Sequence, residues 1–479
     1  MLSARRTWVR ALTIGLAGPA LLSAASAVPA APETAPSLDA ARARQVAEAV
    51  ATAIDDLYVD PEAGRRIAAE LRTRSAAGAY DRAASASTLG DRLTRDLQEI
   101  GRDRHLSVRR DASGMPGGRS RRTVIDGPPP EGAPPGGPGP IRVIRGSAPP
   151  DPARAEAARR TNFGLRAAER MDGNVGYLDV REFQPLPLSR DTLAAAMAFL
   201  AGSDAIVVDL RDCPGGAPGS VSFLASYFFG PERRELFRRY DRPSGETTTE
   251  YTEEDLPGRR LPSTDLWILV SPRTASAGES FAYLLQQFGR ATVVGERTAG
   301  AGHNAALLPV GEDLVLSVSV GRPIHPKTGK GWEGEGVRPD VASVSASALS
   351  VAHAAALKKL LSGATDEKRR REIAWALERV EASSRPDPAV ETLRAYAGRY
   401  GEREVAIEGS RLVCRTPTGR TRTLVPVGKD AFSWDEQTRA TFGRDAGGRL
   451  TELVLDRIDG TLERFPREAP SENAAKEPR

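Results

Sequence analysis

The middle third of the chain alternates strand and helix patterns, which limits its fold more than any other feature. Apolar runs typical of buried strands occupy residues 174–180, 205–210, 267–270 and 292–294. Between them, apolar side chains recur at helical spacing, as in Leu193, Met197 and Leu200. Such alternation is characteristic of a layered α/β domain built on a largely parallel sheet. The sequence predicts this domain over residues 156–362.

Helical patterns precede this region. Apolar residues spaced for three helices run from about residue 40 to 100, which predicts an N-terminal helical domain over residues 38–110. The following segment, 111–155, breaks the pattern. At its centre, every position from 127 to 140 is Gly or Pro except Glu131 and Ala133, so neither helix nor strand is expected and a linker is predicted.

The C-terminal part changes character again. Helical patterns at 346–361 and 366–382 lead through a helical connector, 363–390, to short apolar runs separated by turn residues. These runs predict a small β domain over residues 391–467. The polar end, 468–479, is expected to be disordered.

The N-terminus has the pattern of an export signal. Arg5, Arg6 and Arg10 precede an apolar run, and small residues follow at 23–27, which predicts a cleavable signal peptide over residues 1–27. Whether the Arg5–Arg6 pair marks twin-arginine or Sec export is open. No later run reaches the length of a membrane helix. We therefore expect a periplasmic or extracellular protein with no integral membrane span.

The charge and cysteine content argue against several classes of protein. The net charge of +4 arises from Arg residues scattered among nearly as many acids, which does not predict a nucleic-acid surface. The two cysteines, Cys213 and Cys414, lie in different predicted domains, so neither a disulfide framework nor a metal site is expected. We expect no metal and no cofactor.

Ser276 is the main candidate for chemistry. It lies where the strand at 267–270 gives way to a helix marked by Phe281, Leu284, Leu285 and Phe288. A hydroxyl at that edge, beside free helix N–H groups, suits acyl transfer because an oxyanion would be stabilised there. Taken alone, the position favours an ordinary N-cap serine.

Two glycines follow another strand. In the segment from Asp209 to Gly216, Gly215 and Gly216 come after Pro214 and allow a sharp turn whose N–H groups face a site without a side chain in the way. Such groups would suit an oxyanion hole. An ordinary strand-to-helix turn explains the pair equally well.

A serine nucleophile needs a base, and the chain has four histidines. His353 lies within a helical pattern and His325 in a predicted turn. His303 follows the glycine-rich 300–302, and His105 ends the N-terminal helical segment. Spacing alone does not choose between His105 and His303.

Seven segments, in order, resemble the tail-specific (C-terminal-processing) serine protease family over roughly residues 46–341. The resemblance is to the branch of the tricorn core and the interphotoreceptor retinoid-binding protein repeats. The segments are 58–62, 105–106, 173–178, 209–216, 274–279, 294–300 and 331–340. The resemblance implies a crotonase/ClpP-like layered α/β catalytic domain.

The resemblance also implies roles. Ser276 becomes the nucleophile, with the backbone N–H groups of Ala277 and of Gly215 or Gly216 as oxyanion donors. His105 matches the histidine that serves as base in this branch, and Glu333, in the Trp-Glu-Gly segment, matches the acid. These matches give a Ser276, His105, Glu333 triad in which Glu333 orients the base or polarises the site.

Some residues depart from the family pattern or stay open. Ala301 stands where the dyad lysine of the tail-specific branch is expected, which excludes a Ser-Lys dyad. The segment 111–155 is too short and too poor in apolar residues for the usual PDZ domain. Cys213 stands where relatives carry a small polar residue and is not expected to be catalytic. His303 and Glu335 remain alternatives to His105 and Glu333.

The predicted function is that of an exported serine endopeptidase acting on peptides or unfolded proteins. The alternative is a non-catalytic module that binds lipophilic ligands or peptides on the same fold. An α/β-hydrolase esterase is disfavoured because no Gly-x-Ser-x-Gly surrounds Ser276. The sequence leaves the oligomeric state open.

Overall fold

The computed structural model describes residues 38–110 and 152–468. The predicted signal peptide, residues 111–151 of the predicted linker and all but the first residue of the predicted tail lie outside the described residues. None of the helices in the two described ranges combines the length and apolar character that a bilayer crossing requires.

The N-terminal segment forms three helices, as predicted. Each begins at a polar side chain that caps its free N–H groups: Asp39, Asp60 and Ser85. A short strand follows. The elements are α1 (Ala40–Leu57), α2 (Pro61–Ala76), α3 (Ala86–Gly101) and β1 (Ser107–Arg110).

The central region carries the remaining elements of the α/β domain. Its helices are α4 (Pro152–Arg160), α5 (Leu186–Leu200), α6 (Pro218–Ser226), α7 (Ala277–Gln287), α8 (Ala348–Gly363) and α9 (Glu367–Ser383). Its strands are β2 (Leu165–Met171), β3 (Val175–Val180), β4 (Ala205–Asp209), β5 (Glu235–Asp241), β6 (Thr247–Tyr251), β7 (Asp265–Val270), β8 (Thr292–Gly295), β9 (Asn304–Gly311), β10 (Leu314–Ile324) and β11 (Val341–Ala342). Helix α4 starts within the last residues assigned to the predicted linker.

The predicted parallel sheet has six strands in the order β11-β8-β7-β4-β3-β2, and only β2 and β3 are antiparallel. Side chains alternate between its faces. Ile206 and Ile268 pack into the core with α5, α6 and α7, whereas Val207 and Leu269 pack against α8 and α9. This three-layer α/β arrangement confirms the predicted fold class.

A second sheet of five strands was not predicted. Strand β10 pairs with β1, β5 and β9, and β6 pairs with β5. Leu314, Leu316 and Val318 of β10 share one core with helices α1 to α3. The N-terminal helices are therefore packed onto this second sheet, which fixes the position of the loop between α3 and β1.

The C-terminal domain begins with helix α10 (Val390–Arg394). Its eight antiparallel strands are sequential neighbours: β12 (Gly398–Tyr400), β13 (Arg403–Glu408), β14 (Arg411–Arg415), β15 (Thr421–Gly428), β16 (Ala431–Asp435), β17 (Thr438–Arg444), β18 (Leu450–Arg457) and β19 (Leu462–Pro466). Tyr400 bridges to Arg467, so the sheet closes on itself. Its interior is packed with aromatic side chains, including Phe432 and Phe442.

Candidate active site

Ser276 lies at the junction predicted for it, between the end of β7 and the start of α7. It occupies the N-cap position with φ 49° and ψ −115°, a conformation that L-residues rarely adopt. Its side chain lines a cavity of about 330 Å³. The capping position and the hydroxyl that lines the cavity thus belong to the same residue, and the backbone strain marks a site held by its surroundings.

The glycine turn contacts Ser276 directly. Gly215 has φ 124°, and a Cβ placed on it would lie 2.8 Å from the Ser276 Cβ. Gly216 is held by Phe183, whose N–H donates to the Gly215 carbonyl and whose carbonyl accepts from the Ala217 N–H. No side chain could occupy either position without displacing this contact.

Two residues of this region have a backbone N–H without a partner among the described residues. Gly216 and Ala277 both line the Ser276 cavity. Within the described parts of the chain, neither N–H donates a hydrogen bond. N–H groups that lack a partner and lie in residues of the same cavity as a hydroxyl are available to an oxyanion.

His105 lies on the loop between α3 and β1 and lines the same cavity as Ser276. The structure has no hydrogen bond between these two described side chains. Burial alone would lower the pKa of His105, but the carboxylate of Asp103, with smaller effects of Glu333 and Glu279, raises it. The imidazole therefore shares a cavity with Ser276 and is influenced by three carboxylates.

Asp103 was not predicted as a site residue. Its carboxylate is 1% exposed and accepts hydrogen bonds from the His105 backbone N–H at 2.8 Å, from His303 Nδ1 at 2.9 Å and from the Tyr58 hydroxyl at 3.1 Å. Burial opposes its ionisation, but these partners hold the pKa of Asp103 well below its usual range. It is thus a buried carboxylate that stays charged between two histidines.

Glu333 lies beside His303 instead of His105. Its Oε2 accepts the backbone N–H groups of Gly302 and His303 at 2.6 and 2.7 Å and lies 3.6 Å from His303 Nδ1. Its Oε1 is buried without a partner among the described residues. Burial and the charge of Asp103 raise the pKa of Glu333.

Asp103, His303 and Glu333 also have ligand atoms within 4.8 Å of one another, close enough for a cation. Hydrogen bonds already account for the approach of His303 to Asp103 and for Glu333 Oε2. We therefore treat the three as a hydrogen-bonded charge cluster and assign no metal to it.

Glu279, three residues after Ser276, is a second residue that sequence reasoning missed. Its carboxylate is fully buried and accepts the backbone N–H of Ser276, the Thr298 hydroxyl and the backbone N–H groups of Gly300 and Ala301. It therefore ties the Ser276 junction to the loop that leads to His303. The sequence offered one indication of this role, since Glu279 is the last residue of the family-like segment 274–279.

The other two histidines lie outside this cavity. His353 is buried in α8 and bonds through Nε2 to the Asp172 carbonyl at 2.9 Å. His325 is packed among Phe237, Tyr283 and Phe288. Both positions are structural, which leaves His105 and His303 next to Ser276.

Cys213 and Ala301 are both buried beside the site. Burial raises the pKa of the Cys213 thiol to about 12, so it stays protonated at neutral pH. Both cysteines are free. The Ala301 carbonyl accepts the Trp332 indole N–H at 3.2 Å, so the predicted lysine position is filled by a small residue with a structural backbone role.

Comparisons with known proteins find similarity in two regions of the chain. Residues 174–343 match the family model described as peptidase family S41, and residues 35–131 match that of the N-terminal domain of peptidase S41 in eukaryotic IRBP. The chain is 27% identical over 195 residues to carboxyl-terminal-processing peptidase 1, chloroplastic, of Arabidopsis thaliana, covering 40% of this chain and 38% of that protein.

A cyanobacterial relative and a solved structure are similar as well. The carboxyl-terminal-processing protease of Picosynechococcus sp. is 28% identical over 182 residues, covering 36% of this chain and 40% of the relative. The photosystem II D1 C-terminal processing protease aligns with a TM-score of 0.40 at 17% identity, over 63% of this chain and 92% of that one. The chain thus spans about two fifths of the length of these curated relatives.

A strained serine at the edge of a layered α/β sheet, in one cavity with two histidines, is the type of site expected of a serine-type peptidase. The two matched regions, residues 35–131 and 174–343, contain His105 and Ser276, respectively. Residues 174–343 are thus similar to peptidase family S41, and the relatives that match this chain are carboxyl-terminal-processing proteases.

Proposed function

We propose that the protein is an exported serine endopeptidase that hydrolyses peptide bonds through an acyl-enzyme on Ser276. The observation that carries this proposal is the single cavity lined by Ser276, His105, and Gly216 and Ala277, whose N–H groups have no partner among the described residues. These are the groups that acyl transfer needs: a nucleophile, an oxyanion site and a base.

In this proposal, Ser276 Oγ attacks the scissile carbonyl carbon while His105 accepts the hydroxyl proton. The N–H groups of Gly216 and Ala277 stabilise the oxyanion, and Gly215 shapes the turn that carries them. His105 then returns the proton to the leaving amine as the C–N bond breaks, which leaves an ester on Ser276. Water activated by His105 hydrolyses that ester and restores both groups. Glu333 contributes negative charge that favours the protonated imidazole.

The character of the cavity favours a peptide over a lipophilic ligand. Besides Ser276 and His105, its lining includes Arg239, His303 and Asn304. Polar side chains of this kind can form further hydrogen bonds with backbone and side-chain groups of a peptide, whereas an apolar ligand would remove them from water without offering such bonds. Export rests on the N-terminal pattern of residues 1–27 alone.

Hydrolysis of casein by the purified protein tests the proposal. The wild type should release peptides. Ser276→Ala should lower turnover on the order of 10⁴-fold or more because the nucleophile is gone. Ser362→Ala, an exposed serine in α8, is the matched control and should keep full activity. Casein cleavage that survives Ser276→Ala would refute the nucleophile, and binding of apolar ligands without hydrolysis would favour the binding module.

A further inference from the structure

We propose that Asp103 is the positioning carboxylate for the base, holding the His105 imidazole with Nε2 directed toward Ser276. This role rests on the proposed function. It differs from the sequence prediction, in which Glu333 was the acid that orients or polarises the site.

The geometry around His105 supports this role. Asp103 Oδ1 accepts the His105 backbone N–H at 2.8 Å and lies 3.6 Å from His105 Nδ1. That ring nitrogen is buried without a hydrogen-bond partner among the described residues. A shortening of a few tenths of an ångström would complete a hydrogen bond, and such bonds often tighten only when substrate binds. With its proton on Nδ1, His105 would leave Nε2 free to accept the serine proton.

The other side of Asp103 is fixed by two further groups. Its Oδ2 accepts from His303 Nδ1 at 2.9 Å and from the Tyr58 hydroxyl at 3.1 Å. Tyr58 follows α1, and His303 precedes β9, so the carboxylate is held from separate elements. Oδ1 of Asp103 therefore faces His105, while Oδ2 is held in place by hydrogen bonds from His303 and Tyr58.

Glu333 is less suited to orient the base. Its Oε2 is engaged by the backbone N–H groups of Gly302 and His303. Its nearest imidazole nitrogen is His303 Nδ1, 3.6 Å away. Its raised pKa means that it gives up its proton less readily than Asp103 does. His303 accordingly acts as a support of Asp103 and not as the base.

Substitution of Asp103 should change the pH dependence of kcat/KM. His105 faces Asp103, Glu333 and Glu279, and Arg239 and His303 line the same cavity. Among these groups Asp103 raises the pKa of His105 most, so Asp103→Asn should lower that pKa. Because the base works in its neutral form, the acid limb of kcat/KM should then move to lower pH while the maximum rate falls.

The test compares Asp103→Asn with Glu333→Gln in peptide hydrolysis from pH 5 to 9. Asp103→Asn is expected to lower kcat on the order of 10²- to 10⁴-fold through loss of the oriented base and to shift the acid limb to lower pH. Glu333→Gln is expected to lose less activity and to shift the limb less. The reverse ranking, or a loss of rate in Asp103→Asn with an unmoved acid limb, would overturn the assignment.

Two further variants keep the test decisive if Asp103→Asn does not fold. Tyr58→Phe removes one support of Asp103 and should lower kcat several-fold with KM unchanged, as for one lost hydrogen bond; an unchanged kcat would count against the role. His303→Gln should retain far more activity than His105→Gln, and the opposite result would make His303 the base. Fluorophosphonate labelling of Ser276 separates these outcomes from failure of the proposed function, because that failure would abolish labelling in the wild type too.

Discussion

The carboxylate of Glu279 accepts the backbone N–H of Ser276 at 2.9 Å, three residues before it in the chain. The same carboxylate accepts the N–H groups of Gly300 and Ala301 at 2.7 and 2.8 Å. One buried side chain thus fixes both the strained serine and the loop that leads to His303.

Replacement of Glu279 by Gln should therefore affect stability and chemistry together. An amide cannot accept at both ends, so at least one buried N–H loses its partner, at a cost of about 1–3 kcal/mol. We expect a lower free energy of unfolding in urea and slower labelling of Ser276 by a fluorophosphonate. Glu367→Gln, at an exposed glutamate in the first turn of α9, is the control. Wild-type stability and labelling in Glu279→Gln would contradict this account of the junction.

Gly215→Ala should strongly reduce kcat, and this reduction should not be explained by a loss of stability alone. The added Cβ would lie 2.8 Å from the Ser276 Cβ and 3.1 Å from the Ala277 nitrogen, within the expected oxyanion site. We expect kcat to fall about 10²- to 10³-fold, as for a lost oxyanion donor. Gly448→Ala, also at positive φ but with open space around it, should lose some stability and keep full kcat. Equal kcat in both variants would argue against the oxyanion role of the turn.

The pH dependence of wild-type hydrolysis reports on the base. Because the pKa of His105 is raised above its ordinary value of 6.5, its neutral, active form is reached only at higher pH. We expect kcat/KM to rise with pH through a midpoint above 6.5. A midpoint below 6.5 would be incompatible with His105 as the base in this environment.

His325 predicts a pH dependence of stability that is independent of catalysis. Burial, with a smaller effect of Lys327, lowers its pKa to about 4, whereas the unfolded chain protonates this histidine near 6.5. Its contribution is therefore full above pH 6.5 and is lost as the pH falls toward 4, on the order of 2 kcal/mol. Urea unfolding from pH 7 to 4 should show a flatter decline in His325→Gln, and parallel declines would refute this contribution.

The spacing of apolar residues was sufficient to predict the helix and the strands that surround the proposed nucleophile. The apolar spacing of Phe281, Leu284, Leu285 and Phe288 predicted the start of α7 near Ser276, and the helix begins at Ala277. The parallel sheet followed from alternating buried runs. These patterns lie within short stretches of the chain and reflect only which side chains are buried, so a single sequence is enough to recognise them.

The charge cluster could not be predicted in the same way. Asp103 and His303 are separated by 200 residues, and they meet because β1 pairs with β10 and docks the N-terminal helices. That pairing depends on a second sheet whose strands are partly polar and gave no clear pattern. The sequence does place Asp103 two residues before His105, but this spacing alone does not say which acid faces the base.

The identity of the nucleophile is tested most directly by mapping a fluorophosphonate adduct on the purified protein by mass spectrometry. We predict a single adduct on Ser276, which is lost in Ser276→Ala and forms far more slowly in His105→Ala. An adduct on another residue, or none in a preparation that hydrolyses casein, would contradict it.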